Sequence, residues 1–488
     1  MAHVTLNRRR LLQGASALTT AALTPRTLFA QPVRNAAAPP APLPPRGEFV
    51  IRGATVLTMD PAVPDLAGGD VHVRDGAIIA VARRIEAPAA QAIDGAGMIC
   101  IPGFVDTHMH MWTSAFRLFI RADVPALGYF PVTARLGPLM QPEDNYRAGR
   151  LAAVDAISAG ITTIHNWAHN TRSPEHADAE LSAMRDMGIR GRFAYGTPVG
   201  LSDDAPMDLA GLARVKRDWM PDKDNLLTMG ICSRNLGAVT IGGGAAAASR
   251  GILTIENIKR DWDGARALGL PITMHTSGAS PIMALEQAGL LGPDVQFIHP
   301  LLTTPEDRAV MKARGASYST SPQLEARRGS QLGVIQLGEL LEAGVKVSLS
   351  TDHIASVSCD PFSSMRILFA LHSHRIGARV PLTLKRLLQL ATLDGAVDLG
   401  IADRTGSITP GKRADLVLLR ATDLNMAPVT DPYEAVVSFG LPANVDTVLI
   451  DGRVLRRAGK STAFDDAKIV AEARAAALGL REKAGWPT

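Results

Sequence analysis

Two histidines one residue apart close an apolar run near position 100. The run is Ile99-Cys100-Ile101-Pro102-Gly103-Phe104-Val105, and Asp106-Thr107-His108-Met109-His110 follows it. In a strand, alternate side chains share a face, so His108 and His110 point the same way. Two imidazoles on one face form a chelate for zinc-class metals, whose nitrogen ligands sit at ~2.0–2.1 Å. Such a pair is a common accident in long chains and gains weight when other ligands converge on it. Three more ligand-type residues end apolar runs in the same way. His275 ends the run 271–274, His299 ends 295–298, and Asp352 ends 345–351. Barrels of alternating strands and helices carry their active sites at the C-terminal ends of the strands. Five such residues at four strand ends read as one site.

The elements that position them follow from periodicity. Between about residues 102 and 399, short apolar runs alternate with stretches of helical spacing, such as 254–268 and 305–314, which carry Glu or Asp near their starts. This alternation predicts a parallel α/β barrel; no GxGxxG turn supports a doubly wound sheet instead. Both flanks read as strands and tight turns. Val71-His72-Val73-Arg74 leads into Asp75-Gly76 and Ala77-Ile78-Ile79-Ala80-Val81, and the texture returns at 414–419 and at 445–455 around Asp451-Gly452. The segment 465–483 predicts a surface helix packed on the small sheet domain. The boundaries expected are a leader over 1–30, an Ala/Pro-rich linker over 31–47, the first part of a β-sandwich over 48–100, the barrel over 101–404, the second part over 405–462, and the helix over 463–488.

The chain resembles the amidohydrolase superfamily, in the branch with cytosine deaminase-like and triazine hydrolase-like enzymes. The resemblance rests on Pro102 to His110 as written above, Met274-His275, Phe297-Ile298-His299 and Leu349-Ser350-Thr351-Asp352. It rests above all on Gly406-Ser407-Ile408-Thr409-Pro410-Gly411-Lys412-Arg413-Ala414-Asp415-Leu416-Val417. It implies a distorted (β/α)₈ TIM barrel with a composite β-sandwich built from both chain ends. It also implies one divalent ion, zinc first and iron as the alternative, held by His108, His110, His275 and Asp352. Asp352 would also move protons, and His299 would contact the attacking water or the substrate. A bound divalent ion lowers the pKa of its water from about 15.7 towards ~7. The activity implied is hydrolysis of a C–N bond in an amide, a cyclic amide or an amino-substituted heterocycle of an external small molecule. Deamination or dehalogenation of an aromatic heterocycle is the alternative, and a non-catalytic binding protein on the same fold is the remote one.

The pattern has two departures. Deaminases of this branch carry a Glu three residues after the fifth-strand histidine, and here the sequence is His275-Thr276-Ser277-Gly278. Binuclear relatives carry a lysine on the fourth strand, and 226–233 contains none, which favours a single ion. Glu325, in Ser321-Pro322-Gln323-Leu324-Glu325, is a candidate substrate contact or substitute acid; the alternative is a solvated carboxylate beside Arg327 and Arg328. Trp112 and His165 are candidate substrate contacts, each against a plain packing role. His169 and His176 are weaker candidates, alternation aims His353 away from the metal, and His372 and His374 belong on a helix. Gly242-Gly243-Gly244-Ala245 is a flexible loop without phosphate-loop spacing.

Composition removes other classes. Among 488 residues, 46% are hydrophobic and the formal charge is +4 without a basic block, so no nucleic-acid footprint exists. Cys100, Cys232 and Cys359 stand far apart and make neither a disulfide framework nor a thiolate metal site. Asn7-Arg8-Arg9-Arg10-Leu11-Leu12-Gln13 matches the twin-arginine export motif, with a mildly apolar stretch and a Leu28-Phe29-Ala30 cleavage site after it. That stretch is too short to span a bilayer. A periplasmic or secreted enzyme is expected, and a homo-oligomer by analogy with the family.

Overall fold

The computed structural model describes residues 42–121, 123–198, 201, 205–220, 226–236, 254–276, 280–328, 334–374 and 381–486. The leader, most of the linker, Gly242 to Ala245 and Gly278 lie outside the described residues.

The N-terminal flank gives five strands, β1 (Glu48–Val56), β2 (Leu66–Arg74), β3 (Ala77–Ala82), β4 (Gln91–Asp94) and β5 (Met98–Pro102). Eight parallel strands follow: β6 (Phe104–Met109), β7 (Ile161–Ala168), β8 (Arg190–Gly196), β9 (Leu227–Ser233), β10 (Ile272–His275), β11 (Val295–Ile298), β12 (Ser317–Thr320) and β13 (Lys346–Leu349). They pair in sequence order, with helices between them. A bridge between Met109 and Asp352, with Asp352 N–H donating to His108 O at 2.8 Å, joins the last strand end to the first. The predicted barrel is there, and its seam runs through the candidate site.

The C-terminal flank adds β14 (Leu416–Arg420), β15 (Val445–Ile450), β16 (Arg453–Arg457) and β17 (Lys460–Ser461). Together with β1 to β5 they make one nine-stranded sheet, in which β5 pairs antiparallel with β14 in register Ile101 to Val417. Alternation along β14 serves two cores at once. Leu416 and Leu418 join the apolar cluster of the sheet, and Val417 and Leu419 join the large barrel core. Buried Arg190, from β8, pairs with Asp415 and lies 3.6 Å from Asp451, which fastens barrel to sheet.

Two expectations change. The apolar run at 99–105 is not one strand: β5 belongs to the sheet, β6 to the barrel, and the chain passes between them at Gly103. A Cβ there would lie 2.1 Å from Thr162 Oγ1, so only glycine admits that approach. The C-terminal helix, Asp466–Lys483, packs on the barrel rather than on the small sheet. Its Ala477 and Leu480 share a cluster with Trp112, Phe116 and Phe119, and Glu472 pairs with Arg150 of the helix Pro142–Ser158. No helix among the described residues is long and apolar enough to cross a membrane.

Candidate metal centre

At the C-terminal mouth of the barrel the five residues meet. His108 and His110 leave the end of β6, where the register against β7 gains one residue between Asp106 and Met109. This bulge lets Thr107 and His108 both reach the barrel interior. Thr107 Oγ1 bonds Ser319 Oγ and Ser348 Oγ at 2.8 Å each, across the interior. Asp106 ties the two sides of the seam, accepting from His108 N–H at 3.1 Å, Thr351 N–H at 3.2 Å and the Thr351 hydroxyl. Burial pushes its carboxyl up to about 7.

The ligand-type atoms lie at coordination spacing. His108 Nε2 is 3.1 Å from His275 Nε2, and Asp352 Oδ1 is 3.1 Å from His110 Nε2 and 3.5 Å from His108 Nε2. Around a tetrahedral ion with bonds of ~2.0–2.1 Å, ligand atoms stand roughly 3.3 Å apart. Asp352 is 1% exposed, and neither of its carboxylate oxygens has a hydrogen-bond partner. His299 Nε2 stands 3.0 Å from Asp352 Oδ2 but without hydrogen-bond alignment. A buried carboxylate without donors requires a cation, and a divalent ion fits this donor set.

Electrostatics agree with that fit. Burial holds His108 down at about 3, and burial together with the neighbouring imidazoles holds His275 well below its ordinary range. Both are neutral, as metal ligation demands. Burial alone would raise Asp352, but His353, His108, His110 and His299 outweigh it and keep the carboxylate well below its usual range. His299 moves the other way, because Asp352 and Glu325 overcome burial and raise it. His299 and Asp352 also share a left-handed backbone, with φ of +58° and +72°. Non-glycine residues adopt it at a cost, and here both sit at the reacting face.

The expected substrate contacts stand one layer back. Trp112 is fully buried among Phe116 and its neighbours, and its indole N–H donates to His169 Nδ1 at 3.3 Å. His165 is fully buried beneath the ligands, 3.5 Å from Thr273 Oγ1. Glu325 is neither solvated nor turned to the mouth. Its carboxylate receives His299 Nδ1–H, the Thr320 hydroxyl and Ser321 N–H. His169, a weaker candidate by sequence, meets a ligand: its Nδ1 is 3.1 Å from His110 Nδ1. His353, which alternation aims away from the metal, stands outside the ligand-type groups of the described residues. Its ring stacks on Tyr129 at 4.1 Å and tilts 6.4 Å from His110. Trp167 was overlooked; it packs edge-on against His275 at 4.1 Å and His108 at 5.1 Å. Its place after His165 at period two was the signal available. His176 is structural, held between Ser173 and Met140, and His372 lies on the helix Pro361–Ser373, with His374 at its end.

Comparison with known proteins now decides the family. Residues 99–455 match the amidohydrolase family. The chain belongs to that family. As a member it is a metal-dependent hydrolase of C–N bonds, consistent with its donor set. This amidohydrolase is 28% identical over 457 residues to a 5-methylthioadenosine/S-adenosylhomocysteine deaminase of Pelotomaculum thermopropionicum, covering 88% of this chain and 98% of the relative. Its fold matches an adenosine deaminase from Xanthomonas campestris with bound zinc, with a TM-score of 0.76, 22% identity, and 91% and 100% of the two chains covered. It also matches a zinc-complexed atrazine chlorohydrolase from Arthrobacter aurescens, with a TM-score of 0.75, 21% identity and coverage of 88% and 100%.

Behind β7 a second carboxylate braces the loop that leaves His110. Glu180 accepts from Asn145 Nδ2 and Asn166 Nδ2 at 2.8 Å each, and Asn166 Oδ1 receives Met111 N–H at 3.3 Å. Burial pushes Glu180 from 4.5 to about 7. A carboxyl raised on folding contributes stability that is fully present below about pH 4.5 and lost as pH rises through about 7. The loss is on the order of 3 kcal/mol. Glu180→Gln keeps both bonds, since Asn145 Oδ1 has no partner and can accept the new amide. In urea titrations the variant is expected to match wild type near pH 5 and to exceed it by that order above pH 8. Parallel pH profiles would contradict the assignment.

Proposed function

We propose that this amidohydrolase holds one zinc ion through His108, His110, His275 and Asp352, and hydrolyses a C–N bond in an amide, a cyclic amide or an amino-substituted heterocycle. The observation that carries this reading is the Asp352 carboxylate, buried without a hydrogen bond and ringed by imidazole nitrogens at 3.0–3.5 Å. The zinc bound in the structural relatives supports the choice of metal. When bound, the ion supplies a Lewis acid and a water ionised near neutral pH. Asp352 Oδ2, on the side of His299, would accept a proton from the attacking water and return one to the leaving nitrogen. His299 Nε2 accepts a hydrogen bond from the attacking water or the substrate and so orients it. Trp167 covers the inner side of His275 and His108 and excludes water there. Deamination of adenosine-type compounds, the activity named for the curated relative, is the second reading. Gly278 in place of the branch's glutamate weighs against a conventional form of it.

The test is a panel assay on zinc-loaded enzyme with 5-methylthioadenosine, 5′-deoxyadenosine, an aminochlorotriazine, dihydrouracil and hydantoin, run in ¹⁸O-water. We expect at least one product carrying solvent ¹⁸O at the cleaved carbon, and a loss of roughly 10²–10⁴-fold in Asp352→Asn. Turnover without solvent oxygen, or full activity in that variant, would defeat the proposal.

We also propose export, on the strength of the twin-arginine motif at 7–13. Cell fractionation is expected to place protein cleaved after Ala30 in the periplasm, and the double substitution Arg8→Lys, Arg9→Lys to hold it in the cytoplasm. Equal distribution of the two forms would refute this.

A further inference from the structure

Glu325 stands out among the buried charges because it holds an imidazole of the site. The helix Pro322–Arg328 follows β12 directly and brings Glu325 beneath His299. Glu325 Oε1 is 2.8 Å from His299 Nδ1 and 2.7 Å from Ser321 N, and Oε2 is 2.7 Å from Thr320 Oγ1. Glu325 is 5% exposed and Arg327 beside it is exposed; among the described residues this carboxylate pairs with His299. An oxygen that already receives Ser321 N–H accepts, so His299 donates from Nδ1. Its other nitrogen, Nε2, is buried without a hydrogen-bond partner and faces Asp352.

We propose that Glu325 is a positioning residue: by accepting the Nδ1 proton of His299, it fixes that ring's tautomer and aims Nε2 at the reacting side of Asp352. The inference rests on the reading of His299 as a residue of the hydrolytic site. An imidazole with a strained backbone and no second bond would otherwise rotate or exchange tautomers. Carboxylate partners of this kind typically set the orientation of active-site histidines. The arrangement also accounts for the sequence position of Glu325: the carboxylate comes from the helix after β12 but acts through the end of β11.

Three forms decide it: wild type, Glu325→Gln, which keeps an acceptor for Nδ1, and Glu325→Met, which keeps the volume and removes the acceptor. Zinc content comes first, and all three are expected to bind equally. In ¹⁵N-histidine spectra, with the His299 signal assigned by its absence from His299→Asn, wild type and Glu325→Gln are expected to carry the proton on Nδ1. Glu325→Met is expected to shift it towards Nε2. With the panel compound that wild type turns over fastest, Glu325→Met loses about 10–100-fold in kcat with KM little changed, and Glu325→Gln recovers most of it. An unprotonated Nδ1 in wild type overturns the proposal without any variant having to fold. So does a Glu325→Gln enzyme as slow as Glu325→Met. Absence of zinc or turnover in wild type would count against the hydrolase reading instead, while the wild-type spectrum still tests the Glu325–His299 bond.

Discussion

A carboxylate buried at the barrel mouth with neither oxygen hydrogen-bonded is the constraint around which the site is organised. Desolvating such a group costs several kcal/mol even after the protein relaxes. Elsewhere in this chain buried carboxylates are met by amides, hydroxyls or arginine, as Glu180, Asp398 and Asp415 show. Asp352 has instead the ring nitrogens of His108, His110 and His299 within 3.5 Å, and burial holds His108 neutral. The lone pair of a neutral imidazole such as His108 repels an anion it faces unless a cation lies between them. The donor set is therefore arranged for an ion and poorly arranged for anything else.

Holding four such groups together requires support that does not compete for their metal-facing atoms. Asp106 provides it on one side, joining the backbone of His108 to Thr351 across the barrel seam. His169, braced by Trp112, meets His110 from behind through Nδ1, and Glu325 meets His299 through Nδ1. Beneath, hydroxyls from Thr107, Ser319, Ser321, Ser348 and Ser350 bond to one another rather than to the ligands. His169 and Glu325 grip their rings through Nδ1, which leaves Nε2 and the Asp352 oxygens facing inward. The rigid floor and the strained φ at His299 and Asp352 belong to the same arrangement.

Much of this was legible in the sequence because a strand has a simple period and a barrel has a functional end. A ligand-type residue closing an apolar run is visible without coordinates, and the structure brings His108, His110, His275, His299 and Asp352 to one place. The pairing of the two flanks into one sheet was legible from their turns. What the sequence hid depends on closure. Nothing local says that Glu325, after β12, would reach back to His299 after β11, or that His169 would meet His110. The run at 99–105 reads as one strand because Gly103 leaves no mark of the close approach to Thr162 that divides it.

The central claim is that Asp352 and its histidines exist to hold one divalent ion. Its most direct test is metal content by plasma mass spectrometry on purified wild type, His108→Ala and Asp352→Asn, with folding checked by circular dichroism. The account predicts about one divalent ion per wild-type chain, as a single donor set implies, and its near-complete loss in folded His108→Ala. A folded wild-type protein that carries no metal and takes none up when zinc or iron is supplied would contradict it.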